Sequence, residues 1–234
     1  MDETMTAYSL DSLDLAALLC SRVCHDVISP VGAIINGLEV LEDEKDEDMR
    51  GFALDLIKKS ARGASARLQF CRLAFGAAGS AGASIDTGDA EQVARGLLAD
   101  ERTKLAWNAT RALLPKNKVK LILNLYLIAV AAIPRGGVIE VTISGVDDEL
   151  TIQLEASGPN FKLASHVTHL LAGEVEGSVD AHGIQPYYTG LVAKAAGMDL
   201  SVATEDGKVI LRAVPAAKAE SAGAEAAETE ASAA

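Results

Sequence analysis

The residues whose types and spacing could do chemistry crowd into one stretch, Cys20-Ser21-Arg22-Val23-Cys24-His25-Asp26-Val27-Ile28-Ser29-Pro30. His25 is the candidate nucleophile, since an imidazole nitrogen is unprotonated often enough near neutral pH to attack phosphorus. Asp26 beside it can orient the ring and take up the proton released on attack. Pro30 lacks an amide proton and crowds the turn before it, so it should kink or locally open a helix just past the histidine. Cys20 and Cys24 lie one helical turn apart, but two thiols and one exposed histidine make an incomplete metal site. With Cys71 they read as small, buried, reduced packing residues, and the odd count argues against a secreted disulfide framework.

The element that must carry this stretch is a long amphipathic helix. Apolar side chains recur at Leu15, Leu18, Leu19, Val23, Val27, Val31, Ile34, Ile35, Leu38 and Leu41, the three-and-four spacing of one helical face. Asp11 or Ser12 can cap its start. Ser21, Arg22, Ser29, Gly32 and Asn36 fall at helical spacing from His25, so the strip that carries it is small or polar and open to a partner. An acidic connection, Glu42 to Asp48, leads to a second helical pattern through Met49, Phe52, Ala53, Leu56, Ile57, Ala64, Leu68, Cys71 and Phe75. Two long helices joined by a short turn make an antiparallel hairpin. With the turn near Glu44, residue 25 lies opposite about residue 64, which brings Arg62 and Arg67 to the level of His25 and Arg22. A lone hairpin cannot bury both apolar stripes, whereas two related by a twofold axis close a four-helix bundle, so a homodimer is expected.

The formal charge is −12, and its location matters more than its size. Residues 39 to 48 hold seven acids against Lys45, a net of −6, and residues 216 to 234 hold four against Lys218, a net of −3. Residues 57 to 73 carry Lys58, Lys59, Arg62, Arg67 and Arg72 and no acid. That is a local basic face, suited to phosphoryl charge or an acidic partner site and not to nucleic acid. No uninterrupted apolar run is long enough for a bilayer, and Met1-Asp2-Glu3 lacks the basic start of a signal peptide, so a cytoplasmic protein with no membrane partner is expected.

A second domain should begin near Ile85. Asp89 can cap a helix with Val93, Leu97, Leu98 and Leu105 on one face, and Lys116 to Ile133 is a strongly apolar helix ended by Pro134 and Gly136-Gly137. Two strands, Val138 to Ile143 and Leu150 to Leu154, flank Asp147-Asp148 as a hairpin. Helices near Lys162 to Leu171 and Tyr187 to Ala196, then a pair of strands, Leu200 to Thr204 and Lys208 to Val214, complete an α/β sandwich. His166 and His169 share a helix without a further metal ligand in view, and His182 adds none. The expected organisation is a flexible lead (1–9), a hairpin for dimerisation and phosphotransfer (10–76), a linker (77–85), an α/β domain (86–214) and a disordered acidic tail (215–234).

His25-Asp26-x-x-Ser29-Pro30 resembles the phospho-acceptor motif of sensor histidine kinases, His-[Glu/Asp]-x-x-[Asn/Thr/Ser]-Pro, on the first helix of their dimerisation domain. The order of elements after it, with Leu123-Asn124-Leu125-Tyr126-Leu127-Ile128-Ala129 and Pro134-Arg135-Gly136-Gly137, resembles the kinases' ATP-binding domain. That family carries Asn-x-x-x-Asn-Ala, Asp-x-Gly-x-Gly and a glycine-rich lid. Here the magnesium-binding asparagine is Ile128, the adenine-reading aspartate is Ala156, only Gly158 of the glycine pair remains, and Gln185-Pro186-Tyr187-Tyr188-Thr189 replaces the lid glycines. Isoleucine has no oxygen donor for magnesium.

An acceptor hairpin followed by a degenerate kinase domain resembles the ChpT family of dimeric histidine phosphotransferases. The resemblance implies a cell-cycle phosphorelay in which His25 accepts a phosphoryl group from the receiver aspartate of a CckA-like hybrid kinase and passes it to CtrA-like and CpdR-like response regulators. It implies no cofactor of the chain's own, with Mg2+ on the partner's receiver. Asp26 would orient His25, and Ser21, Arg22, Ser29, Asn36, Arg62 and Arg67 would dock the receiver. Two rivals stand beside it: an ATP-dependent histidine kinase core, and a non-catalytic dimeric adaptor or kinase inhibitor.

Overall fold

Asp11 starts the chain's first helix, its carboxylate accepting from the Leu13 amide at 2.8 Å. The structure is a computed structural model that describes residues 10–76, 82–98, 102–174, 179 and 183–217. The expected lead, most of the expected linker and tail, and His182 lie outside the described residues. Helix α1 (Ser12–Asp43) passes through Pro30 unbroken, so the local opening expected there is not seen. One missing amide costs one bond of the ladder, the bond to the Asp26 carbonyl, and the turns on either side hold the helix together.

Glu44 ends α1, its carboxylate accepting from the amides of Lys45 and Asp46, and those bonds hold its carboxyl below the usual range. Asp46 caps α2 (Glu47–Ala74), which has Glu47 and Asp48 in its first turn and Arg72 in its last, the arrangement its dipole favours. Arg50 reaches across the turn to donate to the carbonyls of Leu41 and Glu44. The two helices run antiparallel and pass close at Gly37, where a Cβ would stand 2.7 Å from Ile57 Cγ1 and 3.3 Å from the Ala53 carbonyl oxygen.

By length and composition α1 is apolar enough to cross a membrane, although no uninterrupted apolar run in it is. The helix nevertheless packs on α2 and carries the Arg22–Asp26 ion pair in mid-length, a pair that lipid penalises.

The second half is a five-stranded sheet in the order β2-β4-β5-β7-β6, with helices packed on one side. Its strands are β2 (Thr103–Asn108), β4 (Gly137–Ser144), β5 (Thr151–Ser157), β6 (Met198–Glu205) and β7 (Lys208–Pro215). β2 and β4 run parallel and the remaining pairs antiparallel, while β1 (Ser84–Asp86) and β3 (Leu113–Pro115) form a separate short pair. The core helix α4 (Lys116–Ala132) lies where the sequence places it.

Three sequence expectations need correction. Asp86, not Asp89, caps α3 (Thr87–Leu97), accepting from the Gly88 amide at 2.7 Å, and Leu105 belongs to strand β2. The helix expected from Lys162 starts only at His166 (α5, His166–Ala172), because the chain first turns at Asn160 with φ +58°. Helix α6 (Ile184–Ala196) starts three residues before Tyr187, with Pro186 in the first turn, where its missing amide costs nothing. After α4, Gly136 and Gly137 adopt positive φ, and a side chain on either would overlap backbone, that of Arg102 at Gly136 and that of Ser157 and Gly158 at Gly137.

The hairpin is not merely tethered to the sheet. Phe70, Leu73 and Ala74 of α2 are buried in the same core as α4 and the inner faces of β4, β5 and β7. Phe70 lies 6.1 Å from the Tyr126 ring, and Phe75 lies 5.7 Å from that of Tyr188.

Candidate functional site

Helix α1 presents three faces. At about 100° per residue, the side marked by Gly37 meets α2, and Ile28, Val31, Ile35 and Leu38 line a second, exposed apolar stripe. His25 lies on the third with Ser21, Ser29 and Asn36, all exposed. Its side chain is 77% exposed, as expected for an acceptor that a partner must reach. The Nδ1 atom faces Asp26 Oδ1 at 3.8 Å.

Asp26 is itself held: Arg22 Nε donates to its Oδ2 at 3.1 Å, one turn earlier on the same helix. Both side chains are largely covered, and Arg22 is engaged with Asp26 behind the histidine. Arg62 is exposed, and Arg67 is half-buried with Nη1 donating to the Gly63 carbonyl at 3.4 Å. Cys71 sits on α2 close to this group: burial first, and then the Asp26 charge, push its thiol up to about 11, with Arg22 and Arg67 pulling the other way. Asp26, Arg22, Arg67 and Cys71 thus come together as the antiparallel register requires. Cys71 is the buried, reduced packing residue expected, whereas Cys20 and Cys24 are exposed, because no described element covers their side of α1. The acidic run at the turn lies at the far end of the hairpin from His25.

At the positions aligned with a kinase's nucleotide site, the residues are closed in on themselves. Ile128 and Ala156 are buried in the core. Asn124, fully buried, donates to the carbonyls of Ala74 at 3.0 Å and Lys120 at 2.8 Å, and its Oδ1 accepts from Gln185 Nε2 at 2.8 Å. Sequence reasoning missed this polar chain, for which the one signal was a single asparagine inside the apolar run Leu121 to Ala132. His169 pairs with Glu174 at 3.0 Å, and among the described residues no three metal-ligating side chains gather. A cleft of about 350 Å³ between α3 and β2 shares no residue with the His25 face, and its two arginines, Arg95 and Arg111, already pair with Glu91 and Asp86.

Residues 87–208 match the family described as the histidine phosphotransferase C-terminal domain. The protein phosphotransferase ChpT of Brucella abortus (strain 2308) is 53% identical over 196 residues, covering 83% of this chain and 92% of that one. The chain belongs to the ChpT-type phosphotransferase family. A solved structure titled as a bacterial phosphotransferase superposes with a TM-score of 0.81 at 47% identity, over 88% of this chain and 98% of the other. A histidine kinase domain from Erythrobacter litoralis gives a TM-score of 0.42 at 14% identity over 78% of this chain and 94% of its own. The fold expected of a ChpT-type phosphotransferase, a helical hairpin followed by an α/β domain, is the one found.

Proposed function

We propose that His25 is the phospho-acceptor of a multistep relay, taking its phosphoryl group from the receiver aspartate of a hybrid kinase and giving it to response-regulator receivers. The observation that carries this reading is the exposed His25 ring, with Nδ1 turned to a carboxylate that an arginine holds in place. In the step, His25 Nε2 attacks the phosphorus of the partner's aspartyl phosphate. The N–P bond forms as the P–O bond to aspartate breaks, and the carboxylate leaves. The Nδ1 proton then passes toward Asp26, closing a gap that apo sites commonly leave loose. Receivers bring magnesium to the phosphoryl group, so this chain has to supply only a positioned nucleophile and a dock, with no cofactor of its own. Ser21, Ser29, Asn36, Arg62 and Arg67 form the dock. Arg22 acts through Asp26.

The exposed stripe Ile28, Val31, Ile35 and Leu38 on α1, with Met49, Phe52 and Leu56 on α2, supports closure into a four-helix bundle by a second copy. Burial of Ile128 and Ala156 supports a relay that does not draw on ATP. The family resemblance supports receivers of CckA, CtrA and CpdR type, cell-cycle control and a cytoplasmic location, away from membranes and nucleic acid.

The test is intact-protein mass after incubation with a phosphorylated receiver or with Mg-ATP, alongside His25→Ala. An acid-labile adduct from the receiver only, absent in the variant, is expected. Labelling by ATP alone would mean a kinase, and none from either source would mean an adaptor.

A further inference from the structure

We propose that Asn124, Gln185 and Tyr187 are positioning residues for phosphotransfer, locking the α/β domain against both helices of the hairpin so that the surface beside His25 has one fixed shape. The inference rests on the relay reading above.

The lock has two independent arms that meet in the first turn of α6. In the first, the carbonyl of Ala74, the last residue of α2, accepts from the buried Asn124 amide at 3.0 Å. Gln185 Nε2 donates in turn to Asn124 Oδ1 at 2.8 Å, with longer approaches to the Asn124 carbonyl at 3.3 Å and Thr189 Oγ1 at 3.4 Å. The Thr189 hydroxyl closes the chain on the Gln185 carbonyl at 2.7 Å. In the second arm, the Tyr187 hydroxyl accepts from the Leu10 amide at 3.2 Å at the foot of α1. Around it Leu10, Leu15, Leu18 and Leu19 pack against Leu170, Ile184 and Tyr187.

Burial alone does not require this polar chain. The neighbours of Asn124 on α4, from Leu121 to Tyr126, are apolar and buried, and an apolar residue there would avoid the cost of desolvating two amides. Gln185 Oε1 even remains buried without a hydrogen-bond partner, a cost that packing offers no reason to keep. What polar bonds add over apolar contact is direction: they fix the angle between α2, α4 and α6. Leu19 lies six residues from His25, about 9 Å along the helix, so a tilt of α6 changes the surface next to the nucleophile.

The test compares the full-length wild type with Asn124→Ala and with Tyr187→Phe, which keeps the ring and removes the hydroxyl. Amide hydrogen exchange is followed in the last turn of α2 and the first turns of α1. His25 labelling is followed from a phosphorylated receiver and from phosphoramidate, a donor too small to need a dock. Expected in both variants are faster exchange in those turns, unchanged protection in β4 and β5, and unchanged phosphoramidate labelling. Receiver-dependent transfer should fall about tenfold in Asn124→Ala, and less in Tyr187→Phe, through a higher receiver concentration at half-maximal rate and not a lower plateau. If Asn124→Ala fails to fold, Tyr187→Phe decides alone. Unchanged exchange would remove the lock, and faster exchange with unchanged transfer would remove its role in positioning. A wild type labelled by neither donor would overturn the relay reading and this inference with it.

Discussion

Helices α1 and α4 are both strongly apolar, yet ten of the 17 residues of α4 are buried against one, Gly37, among the 32 of α1. The difference lies in their surroundings. α4 is covered by the sheet and by α2, α3 and α6, whereas α1 has α2 along one side and α6 at its foot. An apolar stripe in a sequence therefore states a need for burial without saying which molecule meets it. In α4 the same chain meets it. In α1 no described element covers the stripe from Ile28 to Leu38, and His25 occupies a different face of the same helix, so covering the stripe leaves His25 accessible.

The sharpest way to break this comparison is to make the same truncation on both helices. Leu123→Ala leaves a cavity in a closed core and should cost about 2–5 kcal/mol at any protein concentration. Leu38→Ala, at a side chain 47% exposed, should cost little in dilute protein and more where the dimer forms, because only then does the side chain leave water. Urea unfolding at two concentrations reads both. Equal, concentration-independent losses would mean that the α1 stripe has no second molecule to meet.

Much of this contrast could be read in the sequence. The motif around His25 is local to a single helix, and helical spacing alone exposes it. The long helices α1, α2 and α4 and the strands β4, β5 and β7 declare themselves by period and length. β2 did not, because Thr103 to Asn108 is an edge strand whose half-covered side chains do not alternate cleanly, and β1 and β3 are three residues each. Cys20 and Cys24 were misplaced for the reason that separates α1 from α4: a helical period assigns faces and not what covers them. The Ala74–Asn124–Gln185 chain was out of reach altogether, since it joins residues 50 and 61 positions apart in a fold that must first exist.

Gly37 gives the next, smaller test, at the one point where α1 is buried as α4 is. Gly37→Val would set methyl groups against Ile57 and the Ala53 carbonyl, so the hairpin must part or its side chains leave their rotamers. The expected cost is about 1–3 kcal/mol. The gain in helix propensity over glycine offsets only a fraction of it. Gly32→Ala, where nothing stands within 4 Å of the new Cβ, should stabilise α1 slightly instead. Thermal unfolding of the two variants should shift in opposite directions, and a common direction would mean that the helices are not in close contact at Gly37.

The smallest effect belongs to the sheet domain and depends on pH. Lys208 donates to Glu155 across β5 and β7 at 2.6 Å, and Gln153 supports the same carboxylate at 2.8 Å. The lysine bond holds the Glu155 carboxyl below its ordinary range against the opposing effect of burial, with a lesser contribution from Gln153, and the same pair raises Lys208. A lowered acid contributes stability that is present above its unfolded pKa and lost as pH falls through the folded one. A raised lysine contributes stability that is present below its unfolded pKa and lost as pH rises through the folded one. The pair therefore supports the sheet across the whole neutral range and fails at both extremes. Glu155→Gln should lower the melting temperature by a small, constant amount at neutral pH, and the difference should close below about pH 4. A difference that widened in acid would mean that the carboxylate, and not its partner, is the destabilised member of the pair.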